Sequence, residues 1–175
     1  MIFLLTGPVR SGKTTLVKNT LSAVKESSFR ISGYLSPAIW KGEDFLGYDL
    51  LDLRDNRTYP FIRKRGEEKW EKIGRFYFLP KTLDLAEKII LKARRADITV
   101  VDEVGPLELS GGGVWSALKK VLAEPELKFL LVVRSSILSR FQSRIESEKI
   151  KIFHVKQATT QEKIIKSLEL ILRKR

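Results

Sequence analysis

A layered α/β fold, with a mostly parallel sheet between two sets of helices, is what this sequence predicts, and three observations predict it. Apolar runs of strand length alternate with segments of helical periodicity along most of the chain, the pattern of βαβ units. The first run, Ile2 to Thr6, opens directly on Gly7-Pro8-Val9-Arg10-Ser11-Gly12-Lys13-Thr14-Thr15, a G-x-x-x-x-G-K-[ST] phosphate-binding loop set between strand and helix. A later run, Ile98 to Val101, is continuously β-branched, as suits a parallel strand covered on both faces, and it ends in Asp102-Glu103.

Taken in order, the strand from Ile2 and the loop lead into a helix over Thr14 to Lys25, with Leu16, Val17, Leu21 and Val24 on one side and Ser27-Ser28 closing it. Phe29 to Trp40 alternates loosely and meets the turn signal Lys41-Gly42-Glu43-Asp44 before a second run, Phe45 to Leu53, which makes a β-hairpin. Asp55-Asn56-Arg57 marks another turn, and Thr58 to Arg63 reads as a strand that Pro60 assigns to an edge. From Arg63 to Pro80, basic and aromatic residues interleave, including Lys69, Trp70, Lys72, Arg75 and Phe76. That stretch reads either as a solvated loop pinned to the core by its aromatics or as a contact for a nucleotide base or nucleic acid.

Thr82 to Ala96 has a helical stripe of Ala86, Ile89, Ile90 and Ala93, and leads into the Ile98 strand, which Asp102 and Glu103 terminate. Val114 to Ala123 reads as a helix entered through three glycines and stopped before Pro125, and Leu127 to Val133 as the next buried strand. Ser135 to Glu146 is expected to be helical, and Ile150 to Val155 to be the last strand, with His154 in a structural role. Thr159 to Lys174 makes a final helix, with a Thr159–Glu162 capping box and a stripe of Ile164, Ile165, Leu168, Ile171 and Leu172. The Phe29 to Phe78 region is therefore an antiparallel addition to a parallel core.

Composition sets outer limits. With 175 residues, 43% hydrophobic, the chain suits one domain spanning 1–175. No basic-plus-apolar leader precedes the first strand and no apolar run is long enough for a bilayer, so a cytoplasmic protein without membrane contact is expected. The absence of Cys excludes disulfides, thiolate catalysis and zinc–thiolate sites, and a single His excludes multi-histidine metal sites. The 33 Lys+Arg against 21 Asp+Glu give a net charge of +12, a field that attracts nucleotides, nucleic acid or acidic surfaces without choosing among them. The 31% charged content, with no Cys and one Met, fits a heat-adapted source.

The chemistry follows from the two motifs. Glycines let the loop backbone curl around an oxyanion so that its N–H groups and the following helix terminus face phosphate. Arg10 stands where many such loops carry a further glycine. Lys13 is the mobile charge for the β- and γ-phosphates, and the Thr14 hydroxyl is placed for Mg²⁺. Asp102 would hold that ion through its waters, and Glu103 would orient the attacking water. Arg134, which follows the next strand, is the first choice to neutralise transition-state charge, ahead of Arg140 and Arg144.

These residues resemble the small P-loop nucleoside-triphosphatases of thermophilic bacteria and archaea, related to the human cancer-related nucleoside-triphosphatase. The resemblance rests on Leu5 through Thr15, on Gly33-Tyr34 with Gly47-Tyr48, on Gly74-Arg75-Phe76, and on Asp102-Glu103-Val104-Gly105-Pro106-Leu107-Glu108, which fits a D-E-x-G-x-x-E signature. It implies a RecA-like core carrying antiparallel strands, and Mg²⁺-dependent release of phosphate from nucleoside triphosphates with broad base tolerance. It also implies phosphate contacts at Gly7, Gly12, Lys13, Thr14 and Thr15, with Thr14 and Asp102 serving the metal and Glu103 the water; Arg10 departs from the family's glycine. The nucleotide contacts expected of the loop and the second motif together are Gly7, Pro8, Val9, Arg10, Ser11, Gly12, Lys13, Thr14, Thr15, Asp102, Glu103 and Gly105. Glu108 matches the last acid of the signature, for which support of the site from behind is the expectation. Two other functions stay open: a nucleotide or small-molecule kinase, with Arg63 to Pro80 as its lid, and a nucleotide-switched module binding RNA or DNA. A monomer is expected.

Overall fold

The computed structural model describes residues 1–24, 29–145, 147, 149–157 and 159–172. β1 (Ile2–Gly7) passes through the loop into α1 (Lys13–Val24). There follow β2 (Ile31–Leu35), β3 (Ala38–Lys41), β4 (Asp44–Asp52), β5 (Thr58–Arg63), β6 (Glu71–Ile73), β7 (Phe76–Phe78) and α2 (Pro80–Leu91). Then come β8 (Ile98–Val104), α3 (Pro106–Leu109), α4 (Trp115–Leu122), β9 (Phe129–Arg134), α5 (Leu138–Gln142), β10 (Ile150–His154) and α6 (Thr160–Leu172). Among the described residues the strands form one sheet in the order β10-β1-β9-β8-β2-β4-β5-β7-β6, and β3 continues along β4 where β2 leaves off.

The pairs from β10 to β2 are all parallel, and every pair beyond β2 is antiparallel. The reason is local. Parallel neighbours need a crossover long enough for a helix, whereas the chain from β3 to β7 offers only turns. Alternation along β1 then divides the core. Ile2 and Leu4 face the side covered by α2, α4 and α5, while Phe3 and Leu5 face α1 and α6. The stripes expected on α2 and α6 are the ones that bury: Ala86, Ile89 and Ile90 on one face, Ile164, Leu168 and Leu172 on the other. Since the parallel strands are covered on both faces, the C-terminal ends of β1 and β8 open toward the same rim, where ligands of open α/β sheets bind.

The structure departs from the expected elements in physically instructive places. The Phe29 to Trp40 run is interrupted at Ser36-Pro37 into β2 and β3; both pair antiparallel with β4, as the expected hairpin requires, and β2 in addition pairs parallel with β8. β5 is not an edge strand, because β4 flanks it on one side and β7 on the other. Pro60 is accommodated because β7 pairs only with Ile62 and Arg63, and because the β4 register shifts between Tyr48 and Asp49, opposite Pro60. The Arg63 to Pro80 stretch holds the small β6–β7 hairpin, and its Phe78 packs edge-on against Phe61 at 6.0 Å, which bears out the pinning aromatics. β8 does not stop at Asp102 but runs on to Val104. α2 ends at Leu91, with a 3₁₀ turn at Ala93–Arg95. Only Leu138–Gln142, after a 3₁₀ turn, is α-helical in the segment from Ser135, and His154 is exposed at the end of its strand. The helix ends expected at Lys25, Glu146 and Lys174, and the closing Ser27-Ser28, lie outside the described residues.

Candidate active site

The phosphate-loop sequence leaves β1 at Gly7 and re-enters regular structure at Lys13, and two residues turn it through the left-handed region. Gly12 does so at φ +83°, where a glycine meets no Cβ penalty, and Arg10 at φ +60°, where a side-chain-bearing residue does. Pro8 has no N–H to offer a phosphate. Its carbonyl instead ties the loop together, accepting the Lys13 ammonium at 2.6 Å and the Ser11 hydroxyl at 2.8 Å. Lys13 is buried, and that burial lowers its pKa, against the opposing pull of Glu103 and Asp102.

Opposite the loop, β8 delivers the two carboxylates through a bulge. Its pairing with β9 slips between Val101 and Val104, so both valines reach the same core face although three residues apart. Glu103 sits in that slip at φ +69°, a strained conformation for a non-glycine residue. The consequence is that consecutive carboxylates diverge. Asp102 turns inward and is almost fully buried, whereas Glu103 stays partly open, its side chain 15% exposed and its Oε2 accepting from Arg134 at 3.1 Å.

Burial raises the Asp102 carboxyl to about 6, opposed by the Ser36 backbone N–H, which donates to Oδ2 at 2.9 Å, and then by the Thr14 hydroxyl. Its other oxygen, Oδ1, is buried with no aligned donor. A buried carboxylate oxygen with no aligned donor, beside a threonine hydroxyl and a lysine, is the chemistry of a hard-cation site, which takes oxygen donors and one carboxylate. Thr14 and Asp102 therefore fit Mg²⁺. Among the described residues no cluster of three or more His, Cys, Asp or Glu is placed to hold an ion by protein groups alone.

Behind this pair, Glu108 acts as a buttress. Its Oε2 accepts the Gly105 N–H at 2.8 Å and caps the short helix α3, which starts at Pro106. Gly105 has no side chain to complete a reciprocal cap. Burial pushes the Glu108 carboxyl up to about 7, with the Gly105 N–H the first of the groups opposing the rise.

A cleft of about 600 Å³ opens over the loop, with Arg10, Lys13, Thr14 and Thr15 on one wall and Trp40, Phe45 and Tyr48 of the β3–β4 hairpin on the other. Glu103 and Ser36 line it as well. Burial, and then the charge of Glu103, raise the pKa of the Tyr48 phenol. Gly7, Pro8, Val9, Asp102, Gly105 and Arg134 are not on the cleft surface. Asp102 lies beneath it, and Arg134 stands behind Glu103, its Nε buried without an acceptor. Arg140 and Arg144 are exposed, and Arg144 stacks on Trp115 at 5.4 Å. Residues 63–80 contribute nothing to the cleft lining, although Phe76 backs Phe45 and Tyr48 at 6.1 and 6.4 Å.

Residues 2–168 match the sequence model of a family described as NTPase. The chain belongs to that family. Among NTPase relatives, the nucleoside-triphosphatase THEP1 of Methanopyrus kandleri is 29% identical over 117 residues, 66% of this chain and 64% of that protein, a little under two thirds of its length. The protein of the same name from Methanothermobacter thermautotrophicus is 27% identical over 159 residues, 89% of this chain and 87% of that one. Two solved structures share the NTPase fold. A human cancer-related nucleoside triphosphatase, 20% identical, superposes with a TM-score of 0.73 over 99% of this chain and 98% of that one. THEP1 from the hyperthermophile Aquifex aeolicus, 19% identical, superposes with a TM-score of 0.76 over 97% and 99%. Within this site, sequence reasoning missed Ser36 and the hairpin wall. Ser36 had one visible signal, the break before Pro37, but the residue it binds is 66 positions away.

Proposed function

We propose that this chain is a cytoplasmic, single-domain Mg²⁺-dependent phosphohydrolase that converts nucleoside triphosphates to nucleoside diphosphate and phosphate, with broad base tolerance. The observation that carries the reading is the buried Asp102 carboxylate, its Oδ1 without an aligned donor and its charge facing the Thr14 hydroxyl, set next to a second carboxylate that opens onto the phosphate-loop cleft. The relatives named nucleoside-triphosphatase support the same reading.

In this mechanism the N–H groups of the loop, Pro8 excepted, face the β- and γ-phosphates, and Lys13 exchanges its bond to the Pro8 carbonyl for phosphate oxygens. Thr14 and Asp102 would hold Mg²⁺, which when bound supplies charge neutralisation on the phosphates. Glu103 accepts a proton of the attacking water and aims it in line with the scissile bond, while Arg134, standing behind Glu103, fixes that carboxylate through its own Nη2 group. Broad base tolerance follows from a site that reads the phosphate tail. Glu103 beside the metal carboxylate favours water over an alcohol or phosphate acceptor, and the β6–β7 region, tied to β5, does not line the cleft as a kinase lid would.

The test is phosphate release from several nucleoside triphosphates with Mg²⁺. Lys13→Ala is expected to lose both binding and turnover, and Glu103→Gln to keep binding while losing about 10²-fold or more in kcat. A Glu103→Gln variant that turns over normally would remove Glu103 from its role.

A further inference from the structure

Arg10 is an expensive residue for its place. It occupies the left-handed region at φ +60° within the loop, where glycine would be free of strain, and it is exposed rather than fixed in the core. Among the described residues it forms no ion pair. Its guanidinium lies instead over two rings of the opposite cleft wall, 5.0 Å from the Trp40 centroid and 5.6 Å from that of Phe45. Those rings meet at 5.2 Å with their planes tilted by 59°, and Phe45 is braced in turn by Tyr48 at 5.1 Å and Phe76 at 6.1 Å. Trp40 is 45% exposed, so this wall is an aromatic surface left toward water beside a phosphate-binding loop. The other arginine near the chemistry, Arg134, is engaged with Glu103 and stands off the cleft surface.

A ring face holds a guanidinium in place without consuming its N–H donors, which point outward at the edge of the guanidinium's own plane and stay available to oxygens. We infer that Arg10, seated on Trp40 and Phe45, is a further substrate-contacting residue of this site, donating to the terminal phosphate of a nucleoside triphosphate. This rests on the triphosphatase reading above and adds to it a specificity element: a cation on the loop's own backbone that distinguishes a triphosphate tail from a diphosphate. The backbone strain at Arg10 is then retained for the side chain it carries.

The experiment separates side chain from backbone with Arg10→Gly, which suits φ +60° and so folds at least as stably as the parent. Affinities for ADP and for the non-hydrolysable β,γ-imido analogue of ATP, both with Mg²⁺, are measured by calorimetry, alongside phosphate release and thermal melting. Arg10→Gly is expected to keep or raise the melting temperature, to cut the analogue-to-ADP affinity ratio about tenfold, and to lower kcat about 10²-fold. Arg10→Lys, which keeps the charge but loses the planar fork, should fall between. Trp40→Ala should shift the ratio in the same direction, and Trp40→Phe should restore it. An Arg10→Gly protein with an unchanged ratio and turnover overturns the inference, as does a Trp40→Ala protein that matches the parent in both. A parent that neither binds nor hydrolyses a triphosphate overturns the triphosphatase reading itself.

Discussion

Glu108 shows how one side chain couples this site to pH. Its carboxyl is buried and its folded pKa is raised from 4.5 to about 7, chiefly by burial. A group whose pKa is higher in the folded than in the unfolded chain contributes stability at low pH, below about 4.5, and loses that contribution as pH climbs through about 7. The Asp102 carboxyl, raised from 3.8 to about 6, acts in the same direction over a lower window. Stability of the ligand-free protein is therefore expected to fall between pH 5 and pH 8. Glu108→Gln, which keeps an acceptor for the Gly105 N–H but cannot ionise, should make that fall smaller by on the order of 2 kcal/mol in urea unfolding at the two pH values. An equal fall in parent and variant would assign the pH dependence elsewhere. Support of the site by Glu108 was expected from the signature, but the contact that provides it was not legible, because the signature places an acid there without saying that its oxygen closes back on an N–H three residues earlier.

At the scale of elements, the site depends on how closely two strands approach. β2 lies beside β8 with Gly33 opposite Val100, at φ +107°, and a Cβ there would collide with the Val100 carbonyl. That closeness lets the loop after β2 bring the Ser36 N–H onto Asp102. Gly33→Ala is accordingly expected to lower stability by more than about 2 kcal/mol in denaturant unfolding, and to weaken nucleotide binding as Ser36 moves off Asp102. If affinity stayed at the parent value in a folded Gly33→Ala protein, Ser36 would not be a support of the site. Much of this scale could be read in advance, since β1, β9 and the start of β8 are apolar or β-branched runs and α2 and α6 carry clear stripes. The bulge in β8 could not, because Val101-Asp102-Glu103-Val104 reads as a strand ending in two charges, and only pairing with β9 reveals the slip that parts them. Likewise β6 and β7, of three residues each, are too short for any periodic signal and exist through their partners.

For the whole molecule the governing quantity is net charge. At +12 the folded chain repels itself, and salt screens that repulsion; it equally screens the attraction between a basic cleft and a polyanionic nucleotide. These two effects of salt have opposite signs in one measurement. Raising NaCl from about 0.05 to 0.5 M, which shortens the screening length from more than 10 Å to about 4 Å, should raise the melting temperature of the ligand-free protein. The extra stabilisation given by a fixed concentration of Mg²⁺ with the β,γ-imido analogue should shrink over the same range, because it follows RT ln(1 + [L]/Kd) and Kd rises. A nucleotide increment that is constant with salt would mean that binding is governed by local contacts at Lys13, Arg10 and Thr14, the wider field being spectator. A ligand-free melting temperature that falls with salt would mean that the exposed pairs Arg30–Asp97 and Arg94–Glu124, at 3.2 and 2.7 Å, outweigh the self-repulsion. The expected pattern, opposite slopes for the two quantities, follows because those pairs are solvent-exposed and individually weak, while the charge excess acts over the whole surface.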